Sequence, residues 1–411
     1  MDSGGSWDDT DDIQDGGTHS CSEVDADDEG MQEEYPVSLD LMPNDTLERI
    51  LSFLPIESIY KAESVCKRWQ TIVRSRNFIR NIYPVHHQLP WYYMFKCTNK
   101  HTGHAYDPNL RKWNRISLPN CTESSDLIIG TSGGLVSFYD IDVRTGKLYV
   151  GNPLTRQWRE LIEPPGLNLP EYGALSMTRS RKSSSEGGSY RISIVESKHV
   201  SVNFLEWNLS IHLYDSESKT WRTPLREVLT GWRGGNESAI CDGSLYFLMY
   251  AAGGGWNMQY QHGLARYSLS GQSLGHDSLA RSFIPAPCTL TCGRLMNHGE
   301  RLVMVGGIGK EGRPGRLKGI GIWVLNGSKW DEIAMMPQEY FERFGGSDDV
   351  FACSGSCGLV YIHRYGRSAL LMFDMNERRW RWAQKGPVVA LKFSLDVFSG
   401  FCFKPRLDAM P

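Results

Sequence analysis

The hydrophobic rhythm of the chain changes between its two halves. From Ser38 to Phe78 apolar side chains recur at helical spacing, whereas beyond Trp91 short apolar runs are broken by small and turn-forming residues, the pattern of strands. In the first segment Leu47, Ile50, Leu51 and Leu54 fall at i, i+3, i+4 and i+7, with Asn44 as a candidate cap and Pro55 as a stop. A shorter second helix is expected next. A third places Val65, Trp69, Ile72 and Val73 on one face with Cys66 beside them, and turns Lys67, Arg68, Arg74 and Arg76 to solvent. Three short helices cannot enclose so many large side chains, so part of this surface needs a partner.

Ahead of Ser38 the pattern is polar throughout. Residues 1–34 hold thirteen acidic residues and no Lys or Arg, which predicts a disordered acidic tail over 1–37. Two roles remain open for it, a solubilising tail or a regulatory contact with the basic body. The remainder carries 44 basic against 34 acidic residues, a charge of +10. This excess is spread through loops and no nucleic-acid motif accompanies it, so it implies a preference for acidic partners and no direct nucleic acid.

From Trp91 onward the pattern repeats. A strand-like run ends in an aromatic or apolar residue, an Asp or Asn follows, and a Trp comes six positions later: YDPNLRKW (Tyr106 to Trp113), NPLTRQW (Asn152 to Trp158), YDSESKTW (Tyr214 to Trp221) and FDMNERRW (Phe373 to Trp380). A shorter copy is VLNGSKW, Val324 to Trp330. The acidic or amide side chain can bond its own turn backbone, and the Trp starts the next strand and packs between neighbouring sheets. Upstream of these hairpins lie others built around small residues: TSGGLVSF (131–138), CDGSLYFLMY (241–250), NHGERLVMV (297–305) and GSCGLVYI (355–362). Two hairpins make a four-stranded sheet, and the period falls in the range of kelch-type propeller blades. Counting units gives six blades, the fourth without its Trp. FSGFCFKP (398–405) reads as an inner strand that completes the first blade and closes the ring. The fold class is therefore mainly β with a small α module, divided into an acidic tail (1–37), a helical module (38–84) and a propeller (85–411).

The helical segment resembles a known family. LMPNDTLERILSFLP followed by VCKRW and a closing NF is similar to the F-box, a motif that docks on a Skp-type adaptor and so joins a cullin ubiquitin ligase. By this resemblance the adaptor-facing residues are Leu41, Pro43, Leu47, Ile50, Leu51, Leu54, Pro55, Val65, Cys66 and Trp69, with cullin and RING subunits reached through the adaptor. The alternative is that these residues only pack a helical cap onto the rest of the protein. The second half resembles the kelch-repeat region of plant F-box/kelch proteins, a resemblance that extends to LTGWRGGNES (229–238), SFIPAPCTLTCGRLMN (282–297) and RLVMVGGIGK (301–310). It implies the substrate-receptor subunit of an SCF (Skp, cullin and F-box) ubiquitin ligase, located in the nucleus and also in the cytoplasm. The competing class is a propeller scaffold that works without ubiquitin.

In a four-stranded meander the second-to-third-strand connections and the links between blades emerge on one face, and the Asp-to-Trp hairpins on the other. The first face is expected to carry longer loops, over 160–171, 222–237, 251–261, 309–317 and 331–349. Aromatic and Arg side chains dominate interface energetics, so Trp232, Arg233, Asn236, Trp256, Tyr340, Phe341, Arg343 and Phe344 are the candidate contacts for an unidentified protein substrate.

Catalysis and cofactors have little support in the pattern. The eleven histidines show no repeated ligand spacing, and GGIGKEG (306–312) lacks the Ser or Thr that a phosphate loop places after its Lys. Cys288 with Cys292 and Cys353 with Cys357 sit in strand-like runs without a second ligand pair, so reduced thiols are expected, with no metal and no cofactor. With no apolar run long enough to span a bilayer and no signal-like amino terminus, the expectation is a soluble intracellular protein with no membrane partner.

Overall fold

The structure is a computed structural model that describes residues 41–85, 89–118, 127–140, 147–165, 170–179, 188–200, 203–252, 262–269, 283–310, 313–345, 351–386 and 397–411. The acidic tail lies outside the described residues. The chain divides into two compact units, Met1–Leu47 and Glu48–Pro411. In the first, the described residues Leu41 to Leu47 lead into helix α1 (Asn44–Ser52), and Leu47 is fully buried.

In the second unit come α2 (Ile56–Glu63), α3 (Lys67–Arg74) and α4 (Arg76–Val85). Where the pattern predicts one continuous helix through Arg76, the structure has two. Ser75 adopts an extended backbone, φ −66° and ψ 141°, and its hydroxyl accepts the Phe78 N–H at 3.1 Å, so α3 ends and α4 is capped at one residue. Cys66 plays a similar part at the start of α3, its sulfur accepting the Trp69 N–H at 3.5 Å. Phe78 and Ile82 of α4 are buried together with Leu51, Ile59, Ile72 and Val73.

Six four-stranded antiparallel sheets follow, arranged as propeller blades. Blade 1 contains β1 (Trp91–Lys96), β2 (Asn99–Asp107) and β3 (Lys112–Ser117), and blade 2 contains β4 (Leu127–Ser132), β5 (Leu135–Asp140), β6 (Leu148–Asn152) and β7 (Gln157–Leu161). Blade 3 is built from β8 (Tyr172–Arg179), β9 (Tyr190–Val200), β10 (Asn203–Asp215) and β11 (Thr220–Thr230). In blade 4, β12 (Trp232–Cys241), β13 (Ser244–Ala251) and β14 (His262–Ser268) are followed by a two-residue outer strand, β15 (Ile284–Pro285). Blade 5 holds β16 (Leu290–His298), β17 (Arg301–Lys310), β18 (Arg313–Asn326) and β19 (Lys329–Met335), after which helix α5 (Gln338–Phe344) leads to blade 6. That blade comprises β20 (Ala352–Ser356), β21 (Leu359–His363), β22 (Leu370–Asp374) and β23 (Arg379–Trp382). Finally β24 (Phe398–Phe403) pairs with β1 as the inner strand of blade 1, closing the ring as the sequence predicts.

The two hairpin types follow from their turn residues. All four inner hairpins named above turn on two consecutive residues with positive φ: Gly133 and Gly134, Asp242 and Gly243, Gly299 and Glu300, Cys357 and Gly358. Such turns match the twist of the flanking strands. In the outer hairpins the Asp or Asn carboxylate or amide oxygen accepts the N–H two residues on, at 2.8 Å for Asp107, 3.0 Å for Asn152, 2.9 Å for Asp215 and 2.9 Å for Asp374. The Trp that follows reaches the preceding blade. Trp113, Trp221 and Trp330 donate their indole N–H to the carbonyls of Gln384, Ile162 and Pro285, at 2.8, 2.9 and 2.9 Å.

Helix α2 is seated on the hairpin side of blade 1. Ile56, 4% exposed, joins a cluster with Trp91, Phe95, Ile116, Leu118 and Phe403, and the Glu57 carboxylate accepts from Lys112 in the outer hairpin at 2.9 Å. Hydrogen bonds from Lys112 and then Lys61 hold the Glu57 carboxyl below its ordinary range. The two contributions differ in kind. An Ile56→Ala substitution is expected to cost about 2–5 kcal/mol through lost burial and a cavity, and Lys112→Ala less than about 1 kcal/mol because that pair is half exposed, as read by chemical denaturation.

Ring closure has a titratable group at its joint. His363 is fully buried between blades 6 and 1, its Nδ1 bonded to the Tyr92 hydroxyl at 2.8 Å and its Nε2 to the Phe398 carbonyl at 3.2 Å. A neutral ring with the proton on Nε2 satisfies both partners, accepting from Tyr92 and donating to Phe398. Burial lowers the His363 pKa from 6.5 to about 4. A depressed histidine contributes stability that is fully present above the unfolded value and is lost as pH falls toward the folded one. Thermal midpoints should therefore drop between about pH 6.5 and 4, and the advantage of the natural protein over a His363→Gln variant should shrink across the same window.

Candidate functional site

The propeller presents two unlike faces. One carries all the two-residue inner turns, the Asp-to-Trp hairpins and, at Lys112, the seat of α2. The other carries the links between blades and the second-to-third-strand connections. The inner strands enclose a channel of about 1130 Å³ between the two faces.

On the helical module of the second unit, apolar side chains stand in solvent: Ile50 is 43% exposed, Phe53 57% and Val65 62%. Cys66 is exposed as well, and Leu54, Pro55 and Trp69 are partly so. Leu51 corrects the expectation, since at 1% exposure it belongs to the interior and offers no docking surface. In the first unit, Leu41 is 85% exposed and Pro43 exposed, whereas Leu47 is buried and is likewise removed from the candidate contacts. The helical stripe used to predict contacts marks, at Leu47 and Leu51, the side facing the core. Phe53 is the residue that pattern reasoning missed. It falls off the i, i+3, i+4, i+7 series, in the turn just after α1, and its only sequence signal is a large aromatic beside the Pro55 stop.

The eight candidate substrate contacts separate into distinct groups. Trp232 and Arg233 lie together at the start of β12, partly buried, and Asn236 is exposed at the channel wall. Trp232 stacks obliquely on Phe283 with centroids 4.5 Å apart. The Arg233 guanidinium lies over the rings of Tyr172 at 3.8 Å and Tyr250 at 4.9 Å, with Trp207 at 5.9 Å. Tyr340, Phe341, Arg343 and Phe344 belong to α5. Phe344 is 3% exposed and packs edge-on against Phe351, so it is a core residue and the contact expected of it is corrected. Tyr340 donates to the Trp380 carbonyl at 3.0 Å and stacks on Trp382, while Arg343 sits over the same Trp382 ring at 4.9 Å and remains exposed. Trp256 lies outside the described residues. Several expected loops are strands instead: 222–230 is β11, 232–237 opens β12, and 313–317 opens β18.

The channel wall holds buried polar chemistry. Arg294 donates to Glu237 at 3.1 Å, to the Tyr365 hydroxyl at 3.0 Å and to the Phe351 carbonyl at 3.0 Å, an arrangement that ties blades 4, 5 and 6 together. Cys292, Cys353 and Cys402 carry free thiols whose pKa burial pushes up, which disfavours the reactive thiolate. Ser210, His212 and Glu196 form a linked set, with Ser210 Oγ 3.1 Å and Glu196 Oε2 3.5 Å from His212 Nε2. All three are fully buried, and Tyr139 of blade 2 donates to Glu196 at 3.2 Å, so the set serves as a tie between blades 2 and 3. Among the described residues no helix is long and apolar enough to cross a membrane, and no cluster of His, Cys, Asp or Glu is arranged to hold a metal ion.

Comparison with known proteins agrees with this architecture. The F-box domain model matches residues 39–81, and the model of the beta-propeller of F-box protein At3g26010-like matches residues 109–273. The F-box/kelch-repeat protein At3g61590 of Arabidopsis thaliana is 53% identical over 94% of this chain and 93% of its own length. More distant are the Arabidopsis protein UNUSUAL FLORAL ORGANS, 24% identical over 89% of this chain and 85% of its own, and the Arabidopsis SKP1-interacting partner 15, 29% identical over 29% of this chain and 37% of its own. An F-box match, a six-bladed ring and more than half of all aligned positions shared with At3g61590 have one consequence: the chain belongs to the family of plant F-box/kelch-repeat proteins.

Proposed function

We propose that the chain is the substrate receptor of an SCF ubiquitin ligase, joined through a Skp-type adaptor to cullin and RING subunits, and that its propeller delivers a bound protein for ubiquitination and degradation. The observation that carries this reading is the exposure of Ile50 on α1 and of Phe53 and Val65 in the turns after α1 and α2, in a helical module whose α2 is anchored to the hairpin side of the ring. A protein surface of this kind is stabilised by burial against a partner. The anchoring leaves the opposite face open to a second partner. Similarity to a relative named SKP1-interacting partner 15 supports the adaptor assignment.

On this reading the chain performs no bond chemistry. It raises the effective concentration of a substrate beside a ubiquitin-charged enzyme, so its contribution is geometric. The runs at 229–238, 282–297 and 301–310 support a finer resemblance, to HAWAIIAN SKIRT, and with it a nuclear location.

The test is calorimetric titration of the purified chain with a plant Skp-type adaptor. A Phe53→Asp, Val65→Asp variant removes two exposed contacts, each worth about 1.5–3 kcal/mol when buried, and is expected to weaken association by about 100-fold or more while keeping the thermal midpoint of the natural protein. Undiminished binding by the folded variant would move the adaptor site elsewhere; no binding by the natural protein would favour a scaffold that works without ubiquitin.

A further inference from the structure

On the face opposite the α2 seat, Arg233 lies near the start of β12. In blade 3 the β9–β10 hairpin runs past the start of β8, which pairs at Tyr172 with Ser197, on to Val200 and Asn203. In blade 5 the β17–β18 hairpin runs past the pairing of Leu290 with Ile308 as far as Lys310 and Arg313. Between these two hairpins β12 of blade 4 opens with Trp232 paired to Ala251 of β13. Arg233, the second residue of β12, lies between them.

The chemistry around Arg233 is specific. Arg233 is partly exposed, and its one hydrogen bond to the described residues is a 3.3 Å contact from Nη1 to the Gly234 carbonyl. No carboxylate pairs with it among the described residues, in contrast to Arg294, which is held by Glu237. Its guanidinium instead rests on the faces of Tyr172 and Tyr250, which stabilise the cation and fix its plane without consuming its N–H groups. A guanidinium held this way keeps donors for a planar or tetrahedral oxyanion. Nearby, Trp207 is 9% exposed and its indole N–H has no acceptor among the described residues. Apolar surface adjoins the cation: Leu205 is 44% exposed, its carbonyl accepts the Gly231 N–H at 2.7 Å, and Trp232 with Phe283 follows directly.

We propose that Arg233 reads an anionic side chain, a carboxylate or a phosphate, on a protein segment whose adjacent apolar residue rests on Leu205 and the Trp232–Phe283 pair. The inference deepens the receptor reading and depends on it only in calling that segment a substrate. Complementary charge selects the occupant, since a basic or neutral segment leaves the Arg233 cation unanswered.

The experiment uses the full chain bound to a Skp-type adaptor and four pools of immobilised 12-residue peptides, randomised except for a central Glu, phosphoserine, Ser or Lys. Retention of the Glu or phosphoserine pool should exceed that of the Ser and Lys pools by about tenfold or more, the scale of one charge-assisted hydrogen bond. Which of the two wins separates a carboxylate from a phosphate. The preference should vanish in Arg233→Gln, survive in Arg233→Lys, and be untouched by Arg156→Gln in the outer hairpin of blade 2, on the opposite face. Equal retention of all pools, no retention of any, or an unchanged preference in Arg233→Gln overturns the inference. Adaptor binding is measured in the same preparations, so a complex that forms normally but shows no acid preference refutes the role of Arg233 and leaves the receptor reading standing. A chain that fails to bind adaptor refutes that reading instead, and the pools are then run on the chain alone.

Discussion

Pairing of β24 with β1 is the contact on which the rest of the molecule depends. Six residue pairs, from Trp91 with Phe403 to Lys96 with Phe398, join the far end of the chain to the first strand of the ring. Without them blade 1 loses its inner strand, and the channel loses one of its six walls. The same strands also supply the floor under α2: Trp91 and Phe403 belong to the cluster that receives Ile56, and their rings meet edge-on at 6.3 Å. The helical seat is therefore built from the closure itself. A strand formed by residues about three hundred positions away in sequence must pair before α2 has anything to rest on, which makes the contact order of this junction high and its formation slow relative to the local hairpins.

This dependence bears on function because a proximity device works through geometry. If α2 rested only on the exposed Glu57–Lys112 pair, the anchoring would be weak and screened by salt. Ile56 in a closed apolar cluster is a different kind of joint, dry and short-ranged. On the receptor reading, that joint holds one binding surface at a fixed angle to the other, and the effective concentration it produces is set by the ring rather than by a flexible linker.

Much of this was legible in the sequence because the governing signals are local. An Asp or Asn that bonds its own turn, two small residues that accept positive φ, and a Trp placed to cross to the next sheet each act within about eight residues, so blade type, blade count and closure could be read directly. What failed depends on which side of an element faces inward. Leu47 and Leu51 share the helical stripe that suggested a docking face, yet both are buried, while Phe53 lies off it and is exposed. Phe344 looked like an interface aromatic and instead meets Phe351 in the core. Arg222 to Glu237 is expected as a loop linking two blades; in the ring β10 and β13 supply the pairing that holds β11 and β12 extended through Pro224, Gly231, Gly234 and Gly235. Tertiary pairing overrode local propensity there.

The outer hairpins also show charge prevailing over backbone ease. Arg111, Arg156, Lys219 and Arg378 occupy the same position in their turns, four residues after the Asp or Asn, and all have positive φ, between 52° and 58°. The backbone alone favours Gly at such a position, and a side chain there costs roughly 1–2 kcal/mol. None of the four is Gly, and all are exposed on the hairpin side of the ring. Burial does not account for an exposed residue, and helix or strand propensity does not apply in a turn. What the four share is a positive charge set at the rim of the face that carries α2 and its Glu57 carboxylate. The propeller repeat thus sets four cations at equivalent points of one face, beside the carboxylates of Asp107, Asp215, Glu217, Asp374 and Glu377 in the same turns, at a cost in strain that glycine would have avoided.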